Sequence, residues 1–84
     1  MPTEADVRAQ LRQFILTDLI RDPSLSLRDD EKIISDGLID SFSLAQIGVF
    51  AEQAFGVYIP DPDLTVAKMD TLDLMVARIM RDVK

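Results

Sequence analysis

Residues 40–60 read DSFSLAQIGVFAEQAFGVYIP: an acid and a hydroxyl, Asp40 and Ser41, followed by a run with one apolar face. Leu44, Ile47, Gly48, Ala51 and Phe55 recur at intervals of three and four, the spacing of one side of an α-helix. The helix is predicted to begin at or just after Ser41 and to end at Phe55, where Gly56 and Pro60 break it. An apolar stripe of this kind must be covered by other helices, and the flanking sequence supplies them.

Upstream, Thr3 can cap a first helix with Asp6 at the reciprocal position, and Val7, Leu11, Phe14, Ile15, Leu19 and Ile20 continue at helical spacing. Pro23 is expected to stop it. Downstream, a turn and a short helical segment fall around Leu64 to Met69. Asp70 is expected to cap a last helix with Leu72, Met75, Val76 and Ile79 inward, Asp73 in its first turn and Arg78, Arg81 and Lys84 in its last. Between the first two helices, residues 22–40 show no sustained period. Leu25, Leu27, Ile33, Ile34, Leu38 and Ile39 predict that this long loop lies against the core, with Gly37 supplying a turn. The fold class is all-α: a small antiparallel bundle of three main helices and one short helix, with a long first loop. The 84 residues suffice for one core, so 1–84 is read as a single domain.

No apolar run approaches the ~18 residues that span a bilayer, and the N-terminal residues lack a secretory pattern, so a cytoplasmic protein without membrane insertion is expected. With no cysteine, packing alone must hold the fold. The net charge of −6 is concentrated: residues 22–63 hold nine acids against Arg28 and Lys32, while the two ends are nearly balanced. Such a field repels nucleic acid and attracts basic protein surfaces.

The chain also lacks histidine, which removes Ser-His-Asp and Cys-His nucleophile pairs and His/Cys zinc sites. A serine–lysine pair has only Lys32, Lys68 and Lys84 to draw on, all in loops or short or terminal segments. A calcium loop starting at Asp61 fails, with no glycine at its sixth position and Leu72 at its twelfth. The three glycines are too scattered for a phosphate loop. An enzyme acting alone, or a resident metal, is not expected. Taken alone, Asp40-Ser41 before a helix reads as a cap; a serine there is also well placed to carry a phosphate, which the helix start favours.

DGLIDSFSLAQI (36–47), FAEQAFGVYIP (50–60) and DPDLTVAKMDTL (61–72) together resemble the acyl carrier protein family, including its peptidyl and aminoacyl carriers, over most of the chain. The resemblance implies that Ser41 carries a 4′-phosphopantetheine arm as a phosphodiester, with Asp40 and Phe42 completing the motif, and that Glu52, Phe55, Ile59 and Pro60 match the family's helix end. It implies a phosphopantetheinyl transferase that takes the arm from coenzyme A, and enzymes that load and process an acyl or aminoacyl thioester. The arm supplies the thiol that the sequence lacks. Two roles stand for Asp40: capping the helix, or helping the transferase hold a metal ion or orient the serine.

Partners of this family dock on the second helix, whose outward positions here are Phe42, Ala45, Gln46, Val49, Glu52 and Gln53. Carriers of primary fatty-acid synthesis tend to place several acids there and an Asp directly after Asp-Ser-Leu; this chain has Phe42-Ser43 and only Glu52. Docking through apolar contact at Phe42 and Val49 is expected, with Asp36, Asp40, Asp61 and Asp63 attracting over longer range. GLIDSF (37–42) looks like free-standing carriers of polyketide, nonribosomal peptide or aminoacyl pathways, expected to be monomeric. The competing account of Phe42 and Val49 is that they cover the core or the long loop. Gly48 and Ala51 either open room for an acyl chain or allow close packing, the latter preferred. The alternative function is a carrier-like interaction module whose Ser41 is only a cap, and a third class is an acidic regulator of a basic enzyme.

Overall fold

A computed structural model describes residues 2–83. Helix α1, Glu4–Phe14, starts from the expected capping box: Thr3 Oγ1 accepts the Asp6 N–H and the Asp6 carboxylate accepts the Thr3 N–H. The helix then widens into a π-helical turn, Ile15–Leu19. Thr17 Oγ1 donates to the Gln13 carbonyl at 2.7 Å, competing for an acceptor that a regular helix gives to a backbone N–H. The chain leaves this turn through Arg21, whose φ of 63° is left-handed, and the Asp22 N–H donates back to Leu16 O at 2.8 Å. The stop is therefore made before Pro23, by a residue that is not glycine.

Helix α2 spans Ser43–Phe55 and ends on Gly56, left-handed at φ 70°, whose N–H donates to the carbonyls of Ala51 and Glu52. A 3₁₀ turn at Asp61–Asp63, α3 at Val66–Met69 and α4 at Leu72–Asp82 complete the chain. No strand occurs among the described residues, and the architecture is a small helical bundle. Among those residues, no helix is long and apolar enough to cross a membrane.

The core joins all these parts. Val7, Leu11 and Ile15 of α1 and its continuation, Leu44, Ile47 and Ala51 of α2, and Leu72, Met75, Val76 and Ile79 of α4 are buried together. The long first connection contributes Leu27, Ile33 and Ile39 as buried members, with Leu25, Ile34 and Leu38 packed partly against them. It is a wall of the core, as expected from its apolar residues. Phe14 and Phe55 are only partly buried: Phe14 stacks on Phe50 with ring centroids 4.3 Å apart, and Phe50 meets Phe55 edge-on at 5.7 Å. Gly48 is a packing glycine, since a Cβ there would lie 3.1 Å from Leu64 Cδ1.

The expectation for Asp70 is overturned. Asp70 does not cap α4; Thr71 does, its Oγ1 accepting the Leu74 N–H at 3.1 Å. The Asp70 carboxylate turns to the first connection instead and accepts the N–H groups of Ile34 (3.0 Å) and Ser35 (2.9 Å) and the Ser35 hydroxyl (2.5 Å). A threonine one residue on satisfies the helix, which frees the acid for a longer-range contact. Lys84, expected in the last turn of α4, lies outside the described residues.

Burial works against the charged form of Asp70, but the hydrogen bonds from Ser35 and Ile34 and the nearby Lys32 outweigh it, holding the carboxyl below the usual carboxylate range. A carboxyl more acidic in the folded than in the unfolded chain adds stability above its unfolded pKa and loses it as pH falls through the folded value. Asp70→Asn is therefore expected to cost about 1–2 kcal/mol at neutral pH. The gap to the native chain, measured by urea unfolding at stepped pH, should close in acid below the usual carboxylate range; a gap independent of pH would show that the charge of Asp70 is irrelevant.

Candidate functional site

Asp40, Ser41 and Phe42 form a turn that leads into α2, with the Ser43 N–H on Asp40 O at 3.1 Å and the Leu44 N–H on Ser41 O at 3.2 Å. Phe42, directly before α2, offers no side-chain cap; the capping acceptor is Asp40, at the head of the turn, whose Oδ1 accepts the Ser43 N–H at 3.1 Å and the Ser43 hydroxyl at 3.3 Å. The Ser41 side chain is exposed and makes no hydrogen bond among the described residues. Of the two roles considered for the pair, capping thus belongs to the acid, and the serine hydroxyl is left to solvent.

Beside Ser41 lies an open depression of about 590 Å³. Its apolar lining comes from Leu19 after α1, from Ile34, Leu38 and Ile39 of the first connection and from Val66 of α3, and its polar rim includes Asp40, Ser41 and Ser43. Leu19 reaches this site because the π-helical turn extends α1 to it. Ser35 and Gly37 complete the wall, with Gly37 in the left-handed region at φ 84° that the sequence anticipated for a turn.

The outward face of α2 is as the periodicity predicts: Phe42, Ala45, Gln46, Val49, Glu52 and Gln53 are all exposed. Phe42 is 83% and Val49 54% exposed, so neither covers the core or the loop. The ridge has a groove on each side. Toward α1, Phe14 and Phe50 floor an apolar groove of about 330 Å³ rimmed by Gln46 and Gln53. Toward the segment after α2, a groove of about 210 Å³ is lined by Ala45, Val49, Glu52, Tyr58, Asp61 and Leu64, among others.

Tyr58, 66% exposed, joins this face without having been singled out in the sequence. Its neighbours Val57 and Ile59 are buried, and the sequence, hydrophobic at all three positions, does not mark which of them faces outward.

Ion pairing sorts the acids of residues 22–63. Asp29 is held by Arg12 and by Arg8 at 3.5 Å, and Arg8 also bonds Asp73 at 2.6 Å and Glu4 at 2.8 Å, which keeps its guanidinium well above the usual range. Asp63 bonds Lys68 at 2.8 Å and Arg78 at 3.0 Å, and these two cations hold its carboxyl below the usual range. Asp63 is a brace between the 3₁₀ turn and α4, and its charge is compensated, unlike the free attractor the sequence suggested. Among the described residues Asp36, Asp40, Glu52 and Asp61 pair with no cation. Apart from Asp22, which also meets no cation among the described residues and bonds only Ser24, the uncompensated charge lies at the Ser41 turn and along one side of the α2 ridge.

The site offers an accessible oxygen nucleophile, an apolar depression and an acidic flank, with no general base hydrogen-bonded to Ser41 among the described residues. Against known proteins, no family model matches the chain and no curated protein matches it.

The division of roles predicts a contrast in stability. Asp40→Ala is expected to cost about 1 kcal/mol through loss of the cap, and Ser41→Ala to change stability by less than about 0.5 kcal/mol. Chemical denaturation of both variants measures this; equal costs would return the capping role to the serine.

Proposed function

We propose that the protein is an acyl carrier: it holds acyl or aminoacyl groups on a 4′-phosphopantetheine arm attached to Ser41. The observation that carries the reading is the exposed Ser41 hydroxyl, unbonded within the described residues, at the start of a helix capped by its neighbour. Such an oxygen is open to a transferase and free to become a phosphodiester without removing an internal hydrogen bond.

The residues present fit the group. The phosphate would sit at the start of α2, where the helix dipole favours negative charge. The apolar depression beside Ser41 offers a surface for the uncharged part of the arm or its cargo. When bound, the arm supplies a thiol for thioester chemistry, which no residue of this cysteine-free chain provides.

On this reading the protein is a substrate of its enzymes, not a catalyst. Asp40 holds the turn that presents Ser41, and Phe42 marks the site with an exposed aromatic ring. Processing enzymes dock on the α2 ridge at Phe42, Ala45, Gln46, Val49 and Glu52, through apolar contact at Phe42 and Val49 and attraction to Glu52 and Asp61. Tethering to an arm makes each encounter effectively intramolecular within the arm's reach. The apolar ridge, with Glu52 its only acid, supports a specialised polyketide, nonribosomal peptide or aminoacyl pathway over primary fatty-acid synthesis. The domain acts as a monomer.

Intact-mass measurement after incubation with coenzyme A and a broad-specificity phosphopantetheinyl transferase tests the assignment. The native chain should gain one phosphopantetheine and Ser41→Ala none. No gain by folded, unmodified protein would favour the interaction module, for which the exposed Phe42–Val49 ridge is the supporting observation.

The docking face has its own test. Phe42→Ala and Val49→Ala should each weaken use of the modified protein by a loading enzyme, read as a rise in KM of roughly fivefold or more, while Gln53→Ala changes it less than twofold. Equal effects at the three positions would remove the ridge as the docking surface.

A further inference from the structure

Two of the walls of the depression beside Ser41 come from distant parts of the chain. One is the turn from Ile34 to Ile39, and the other is Val66 at the start of α3. A single residue ties them together: Asp70, which directly follows α3. Its carbonyl accepts the Ile33 N–H at 2.8 Å. Its carboxylate accepts the Ile34 N–H, the Ser35 N–H and the Ser35 hydroxyl at 3.0, 2.9 and 2.5 Å.

Within itself the turn is already assembled. The N–H groups of Leu38 and Ile39 both donate to Ile33 O, at 2.9 and 3.2 Å, and Gly37 N–H donates to Ile34 O at 3.0 Å. Its two ends are fixed, because the side chains of Ile33 and Ile39 are buried. Ser35, Asp36 and Gly37 between them are exposed. The turn is thus a preformed unit on two buried anchors, drawn inward by one carboxylate at the surface.

We propose that Asp70 is a latch: its carboxylate holds the Ile34–Leu38 turn close to the α3 wall of the depression beside Ser41, and releasing it lets the turn swing outward about Ile33 and Ile39, widening the depression for an uncharged apolar group. Opening leaves the anchors Ile33 and Ile39 in the core; it costs the net of a few hydrogen bonds and the partial burial of Ile34 and Leu38, not the fully buried core. The use of such a latch to admit a cargo rests on the carrier reading; the latch itself does not.

The test uses the unmodified protein and a neutral apolar fluorophore, N-phenyl-1-naphthylamine, titrated by fluorescence and paired with amide hydrogen exchange. Asp70→Ala should bind the fluorophore about tenfold more tightly than the native chain, as expected for losing at least one charge-assisted hydrogen bond from the closed state. Ser35→Ala, which removes one of the three bonds, should give a smaller gain in the same direction. Adding Val66→Asn on the opposite wall should cancel the Asp70→Ala gain, and the amides of α1 and α4 should lose no more protection than the fall in global stability, measured by urea unfolding, accounts for.

Affinity within twofold across the native chain, Asp70→Ala and Ser35→Ala would overturn the proposal. So would an Asp70→Ala gain that survives Val66→Asn, or exchange that quickens through α1 and α4 by as large a factor as in the turn, which would make Asp70 a general brace. Should Asp70→Ala fail to fold, Ser35→Ala decides alone, and no gain there overturns the latch. Neither the transferase nor Ser41 enters this experiment, so its failure and a failure of the mass test are separate results.

Discussion

Ile33 is the pivot on which the surroundings of Ser41 depend. Its side chain is fully buried, its N–H donates to Asp70 O, and its carbonyl accepts from both Leu38 and Ile39. A connection this long, without a regular helix, loses backbone entropy at every residue when it is ordered. Burial of Leu27, Ile33 and Ile39 acts against that cost and sets where the connection lies. The hydrogen bonds around Ile33 then fix which way the turn faces. This places Leu38 and Ile39 beside the start of α2, and the depression at Ser41 is the space they leave.

Charge is divided by the same logic of position. Where the acids meet cations they brace the bundle: Asp29 draws the first connection to α1 through Arg8 and Arg12, and Asp63 fixes the 3₁₀ turn to α4 through Arg78. Exposed pairs of this kind contribute little individually, but Arg78 is nearly buried, so losing Asp63 would leave it short of a partner. Asp36, Asp40, Glu52 and Asp61 brace nothing through cations among the described residues, and their field is available to a partner. A ridge with an acidic groove on one side and a neutral, aromatic-floored groove on the other constrains the orientation of whatever binds it, since a basic surface fits only one side.

Much of this was legible in the sequence because the signals were local. The Thr3 capping box, the stripe from Leu44 to Ala51, the left-handed glycines at 37 and 56 and the outward positions of α2 each follow from a period or a residue's conformational range. The misreadings were non-local. Asp70 has the identity and position of a helix cap, and only the approach of Ile34 and Ser35, far away in sequence, shows that its carboxylate serves the loop. The compensation of Asp63 depends on Arg78, placed by the packing of α4. The π-helical turn and the left-handed Arg21 are departures that the apolar spacing of α1 does not encode, although Thr17 supplies a local cause for the first. The depression at Ser41 combines residues from Leu19 to Val66 and has no sequence signature at all.

The separation of Asp40 from Ser41 bears on how a modified residue can coexist with a stable helix. Were the serine oxygen the cap, converting it to a phosphodiester would disturb the hydrogen bond that starts α2, and modification would be coupled to folding. With the cap on Asp40 Oδ1, the Ser43 N–H stays satisfied whatever the serine carries. The neighbouring phosphate would add repulsion against Asp40, partly offset by the dipole of a helix thirteen residues long. On the carrier reading, the bare and modified chains therefore share one fold and one docking ridge. A partner that distinguishes them must do so at the Ser41 turn itself, through the added group, and not through a rearranged α2.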